Sequence, residues 1–134
     1  MMSAAKRRLP LDSTQLWKSL TELGVVLAKS TKGFDRSYRF TLGERLMNTL
    51  VDLTDDWMRL YSNPLYGGEP KDIALEFHRD FTRLTAVLNI AHILGQFSHE
   101  NMDKLLTLVD SINRQFKGYC DSKLHISFEL EKDN

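Results

Sequence analysis

The sequence predicts an all-α fold, an antiparallel up-down-up-down four-helix bundle with an extended C-terminal tail. Three observations carry that expectation. Four stretches repeat apolar residues every three or four positions, the spacing that gathers them on one helix face. Breaks at Gly33, from Asn63 to Pro70, and at Gly95 separate the stretches. The 134 residues, 42% hydrophobic and 27% charged, suit one domain with a core of its own. Short connections make successive helices antiparallel neighbours, and mixed spacings of three and four suit crossings near 20°. The expected division is a basic arm over 1–12, the bundle over 13–121 and the tail over 122–134.

The first helix is expected from Ser13 to Ser30, capped by Asp12 or Ser13, with the stripe Leu16, Leu20, Leu23 and Leu27 widened by Trp17. Gly24 costs about 1 kcal/mol relative to Ala in a helix interior, so a closely approaching neighbour helix is expected there. Gly33 supplies the stop. The second helix has a capping-box signature in Thr41 and Glu44. It continues through Leu42, Leu46, Leu50, Leu53, Trp57 and Leu60, about 30 Å of helix. The third begins near Lys71 or Asp72. Its stripe is Ile73, Phe77, Phe81, Leu84, Leu88 and Ala91, flanked by Val87 and Leu94. Ser98 caps the fourth, which buries Met102, Leu105, Val109, Ile112, Phe116 and Tyr119, with Gly118 near its end. Beyond it, Leu124, Ile126, Phe128 and Leu130 alternate with polar residues, a period of two. That pattern reads as a mobile tail, as an extended segment along the bundle, or as a strand added to a second chain.

Composition narrows the setting. Cys120 is the single cysteine, which excludes an internal disulfide and, with no signal peptide recognisable, points to a reducing, cytoplasmic location. No apolar run approaches the ~20 residues of a membrane helix. The net charge is zero, with a basic start (Lys6, Arg7, Arg8) and an acidic end (Glu129, Glu131, Asp133).

Catalytic constellations are not recognisable. The sequence has no Gly-rich phosphate loop, no Cys/His metal spacing and no nucleophile elbow. His78 and His92 lie 14 residues apart, about 21 Å along one helix, too far to share a metal. His92 is expected beside the apolar stripe as a hydrogen-bonded, partly buried imidazole. The di-iron pattern of bundles needs Glu-x-x-His, which is lacking. Asp55 and Asp56 diverge by about 100° on a helix and are expected as solvated surface charges. The expectation is a protein without catalytic residues, metal or cofactor.

Basic residues carry more. Arg36, Arg39 and Arg45 are interleaved with Phe34, Tyr38 and Phe40, a mixture suited to phosphate contacts and base stacking. Arg79 and Arg83 are an i,i+4 pair; Arg114 and Lys117 are an i,i+3 pair. The competing reading is that each arginine pairs with a local carboxylate such as Asp35, Asp80 or Asp110.

The run Phe34-Asp35-Arg36-Ser37-Tyr38-Arg39-Phe40-Thr41-Leu42-Gly43-Glu44-Arg45-Leu46 resembles the "F-P-x-x-x-R-F-T-L-G-x-R" signature of the accessory variability protein (Avd) family of diversity-generating retroelements. That family belongs with the wider four-helix proteins that include those of ribosomal-RNA intervening sequences. Leu84 to Ala91 resembles the family's third helix, and Arg114 to Tyr119 its closing "R-x-x-G-G-W" segment. Asp35 stands where the signature has proline, and Gly118-Tyr119 replaces two glycines and a tryptophan. The resemblance implies a homo-oligomeric bundle, pentameric in relatives, that assists a reverse transcriptase and its template RNA. It makes Arg36, Arg39 and Arg45 the first candidates for contact, followed by Arg114 and Lys117; Arg79 and Arg83 join the candidates as a basic i,i+4 pair, independently of the resemblance. Two alternatives stand beside it: a protein-interaction bundle with no nucleic-acid role, favoured by the zero net charge, and an enzyme using His92 or a carboxylate.

Overall fold

The computed structural model describes residues 14–63 and 67–128. It is a four-helix bundle, and no strand occurs among the described residues. The helices are α1 (Gln15–Lys32), α2 (Glu44–Tyr61), α3 (Pro70–Ile93) and α4 (His99–Tyr119). The closest helix pairs are α2 with α3 and α1 with α4.

Asp12 and Ser13 lie outside the described residues, and the cap of α1 is Thr14. Its hydroxyl accepts from the Trp17 backbone N–H at 3.1 Å and from Trp57 Nε1 at 3.3 Å, so one oxygen both starts α1 and ties it to α2. The helix runs two residues past the expected end, to Lys32. Gly33 closes it with φ −88°, not in the left-handed form. A Cβ on Gly24 would lie 3.0 Å from Leu50 Cδ2. That is the close helix approach expected there.

The capping box at Thr41 and Glu44 does not form. The chain is already helical from Arg36: a turn over Arg36–Tyr38 leads into a π-helical turn over Arg39–Gly43, which runs into α2. A cap satisfies N–H groups that lack upstream carbonyls, and here carbonyls precede them. Thr41 instead donates its hydroxyl to the Ser37 carbonyl at 3.2 Å. The lead-in starts at Asp35, whose carbonyl accepts from the backbone N–H of both Tyr38 and Arg39. Its own N–H donates to Gln96 Oε1 at 2.7 Å, while its carboxylate accepts from Gln96 Nε2. The α1–α2 and α3–α4 connections are thereby joined. Phe34 adds an edge-on contact with Phe97 at 5.2 Å between ring centres.

The stripes meet in one core. Leu16, Leu20, Leu23 and Leu27, then Leu46, Leu50, Leu53, Trp57 and Leu60, then Ile73, Phe77, Phe81, Leu84, Val87, Leu88 and Ala91 are buried, with Met102, Leu105, Ile112 and Phe116 from α4. Phe77 and Phe116 stack with centres 4.1 Å apart. Leu94 departs from expectation: it follows the last residue of α3, where the chain leaves the helical register, and is exposed. Leu42, Val109 and Tyr119 are half-buried. Ser98 caps α4 as expected, accepting from the Asn101 N–H at 3.1 Å. Gly95, at φ +72°, takes the left-handed turn that an L side chain would strain.

The expected tail boundary shifts. A π-helical turn over Cys120–Leu124 extends α4, and His125, at φ +56°, ends it as the Ile126 N–H returns to the Cys120 carbonyl at 3.0 Å. The period-two alternation then appears as burial without a ladder. Phe128 is buried against Phe116 and stacks on His78 with centres 4.8 Å apart, while His125 and Ser127 face outward. Leu130 lies outside the described residues.

Candidate binding surface

The helical lead-in over residues 36–43, with its π-helical turn, positions the arginines. A π turn widens the helix and shifts the residues after it around the axis. Here it leaves Phe40 65% exposed while Phe34 is buried and Leu42 half-buried. Arg36 and Arg39 lie on the exposed side of this lead-in, and Arg45 follows in the first turn of α2. An open groove of about 540 Å³ lies between this segment and α3. Phe40, Arg45, Asn48, Asp52 and Arg83 line it. The groove therefore brings together Arg45 and Arg83, which the sequence places 38 positions apart. It does not include Arg36, Arg39, Arg79, Arg114 or Lys117.

Pairing with local carboxylates separates the seven basic residues. Arg83 Nη1 lies 3.4 Å from Asp80 Oδ1, and Arg114 Nε donates to Asp110 Oδ2 at 3.2 Å. These two follow the local-pairing reading. Arg36, Arg39, Arg45 and Arg79 make no ion pair with a described residue, and Asp35 turns to Gln96 instead of Arg36. Arg79 is exposed on α3, and Lys117 is half-buried on α4. The lead-in and the start of α2 thus present three guanidinium groups outside any ion pair with a described residue, beside an exposed aromatic ring.

A second charged centre was not foreseen. Asp56, expected on the surface with Asp55, is 4% exposed, because it falls inside the inward stripe between Leu53 and Leu60. Arg59 gathers three carboxylates: Nη2 donates to Asp56 Oδ1 at 2.8 Å and to Glu76 Oε2, and Nε lies 3.3 Å from Asp55 Oδ2. Its guanidinium is held charged well above the ordinary arginine range, chiefly by the bond to Glu76 and then by that to Asp56. Asp56 moves the other way. Burial, first, and then the facing Asp80 carboxyl from α3 push it up to about 8, against the opposing pull of Arg59. The signal available in sequence was positional: a carboxylate three residues after Leu53 and four before Leu60 must face inward.

Other candidates for chemistry do not converge. His92 is exposed instead of partly buried, because Leu88 and Ala91 take the inward positions of that turn. Cys120 is fully buried, and desolvation pushes its thiol up to about 12, far from the reactive thiolate range. Among the described residues no three His, Cys, Asp or Glu side chains are grouped to hold a metal ion. No described helix is long and apolar enough to cross a membrane. A polar seam joins α1 to α4, where Gln115 Nε2 donates to Ser19 Oγ at 3.0 Å and to Ser111 Oγ at 2.8 Å.

No protein-family model matches this chain, and no curated protein matches it.

Proposed function

We propose that this chain is a non-catalytic, Avd-like accessory subunit that binds a reverse transcriptase, with template RNA as a second partner. The observation that carries the reading is the lead-in to α2. Arg36, Arg39 and Arg45 form no ion pair with a described residue there, although Glu44 and Asp52 share the groove with Arg45, and Phe40 stands exposed among them. Guanidinium groups not held in a local ion pair are available to phosphate or to an acidic protein surface, and an exposed ring offers a stacking platform. The same residues lie within the signature that resembles the Avd family. The resemblance extends the proposal to an up-down bundle that assembles in the cytoplasm as a homo-oligomer, a pentamer as in that family. Exchanging Arg36, Arg39 and Arg45 together for Glu should abolish co-purification with the transcriptase while circular dichroism shows unchanged helix content. A folded triple variant that still pulls down the enzyme removes these residues from the interface.

The zero net charge favours a second reading, a protein-interaction bundle that leaves nucleic acid alone. Gel shifts separate the two: RNA retarded at low salt and released at high salt belongs to the first reading, and no shift at low salt to the second.

A further inference from the structure

The seam between α2 and α3 contains more acid than base. Among the described residues, Asp55, Asp56, Glu76 and Asp80 meet only two cations, Arg59 and Arg83. Asp56 is the member withdrawn from water, at 4% exposure. Its Oδ1 accepts from Arg59, but its Oδ2 is buried with no donor among the described residues. The carboxyl that acts on the Asp56 side chain from α3 is that of Asp80, itself largely shielded. Two carboxylates cannot both accept across one contact; one of them must donate. An ionised oxygen facing another carboxylate without a donor of its own is disfavoured both by its burial and by like-charge repulsion, which Arg59 offsets only in part.

We propose that Asp56 and Asp80 share one proton across the α2–α3 seam, and that this proton is a pH-sensitive clamp joining the two helices. With the proton in place, Asp56 Oδ2–H donates to Asp80, and Asp80 keeps its charge for Arg83. When the proton leaves, two like charges face each other inside the seam, with Arg59 already divided among three carboxylates. Asp80 and Arg59 are the charged groups acting directly on Asp56; Asp55 and Glu76 reach it through Arg59, and Arg83 through Asp80. Among the described residues α1 and α4 set no charged group against it. The clamp also touches the groove, since Arg83 lines it. It does not depend on what the groove binds.

The sign of the effect follows from proton binding in the two states. Below the unfolded value of 3.8 both states hold the proton, and the clamp contributes fully. Between 3.8 and about 8 only the folded state holds it, so stability falls as pH rises; above about 8 neither does, and the profile flattens.

The test compares the intact protein with Asp56→Asn, whose amide donates to Asp80 without a titrating proton. Relative to that variant, the folding equilibrium constant of the natural chain should fall by up to about tenfold per pH unit across this window. Carbon-detected NMR on the natural chain should show the Asp56 carboxyl titrating far above the surface carboxylates. Asp80→Asn, which supplies a permanent donor, should bring that titration down. Parallel stability profiles, or an Asp56 carboxyl titrating with the exposed ones, overturn the proposal. So does a melting increase with millimolar magnesium that Asp56→Asn abolishes, because the occupant is then a metal ion.

Discussion

Arg59 is the residue on which the charged seam turns. It is about one-third exposed, and its planar fork serves Asp55, Asp56 and Glu76 at once. A lysine has a single ammonium and cannot match that geometry. Removing the cation leaves Asp56 and Glu76 without their shared donor in a site where Asp56 is nearly dry. Leaving a buried acceptor without its donor costs about 1–3 kcal/mol, which sets the expected loss for Arg59→Ala at about 2 kcal/mol. Arg59→Lys should recover only part of it. Urea unfolding at neutral pH measures both. A loss no larger than that of an exposed pair, such as Arg114 with Asp110 (about 0.5 kcal/mol), would place Arg59 among ordinary surface charges. The sequence held half of this centre. Spacing alone turns Asp56 inward, but its pairing with Asp80 depends on how α2 and α3 are rotated against each other, and no pattern within either helix records that rotation.

At the scale of elements, the two hydroxyl caps and the failed one make a contrast that can be measured. Thr14 and Ser98 each accept from a backbone N–H three residues ahead, as an N-cap does. Thr41 donates backward to a carbonyl inside a continuous helix, so it carries no cap energy. Ser98→Ala should therefore cost about 1 kcal/mol, and Thr14→Ala more, because its oxygen also holds the Trp57 indole. Thr41→Ala should stay within about 0.5 kcal/mol of the natural chain. Thermal unfolding of the three variants decides it, and a Thr41→Ala loss equal to that of Ser98→Ala would restore the capping box. The apolar stripes were legible because burying a helix face requires that period whatever the neighbours. Thr41-x-x-Glu44 misled because the motif describes the residues ahead and is silent on whether the preceding chain is already helical. The tail shows a similar ambiguity. Its period of two marks one inward face, and Phe128 fills that face against Phe116 and His78 without a strand partner among the described residues.

For the whole molecule, neutrality is a sum that hides a division. Arg59, Arg83, Lys104 and Arg114 are matched with carboxylates, whereas Arg36, Arg39 and Arg45 meet none among the described residues and lie together where the chain enters α2. A neutral chain binds nucleic acid only if such a local surplus does the work, and the salt dependence reports how many phosphates are engaged. Three arginines on single-stranded RNA give a log–log slope of about −2, at about −0.7 per phosphate. Raising salt from about 50 to about 200 mM should then weaken binding roughly 20-fold per subunit. Reversing the three charges to Glu should abolish the retarded species at low salt, while Arg114→Glu, which acts on a cation already matched by Asp110, should leave the slope unchanged. A slope near zero with RNA still bound would mean that stacking on Phe40, and not the arginines, holds the strand. Phe40→Ala would then lose the complex that the triple variant keeps.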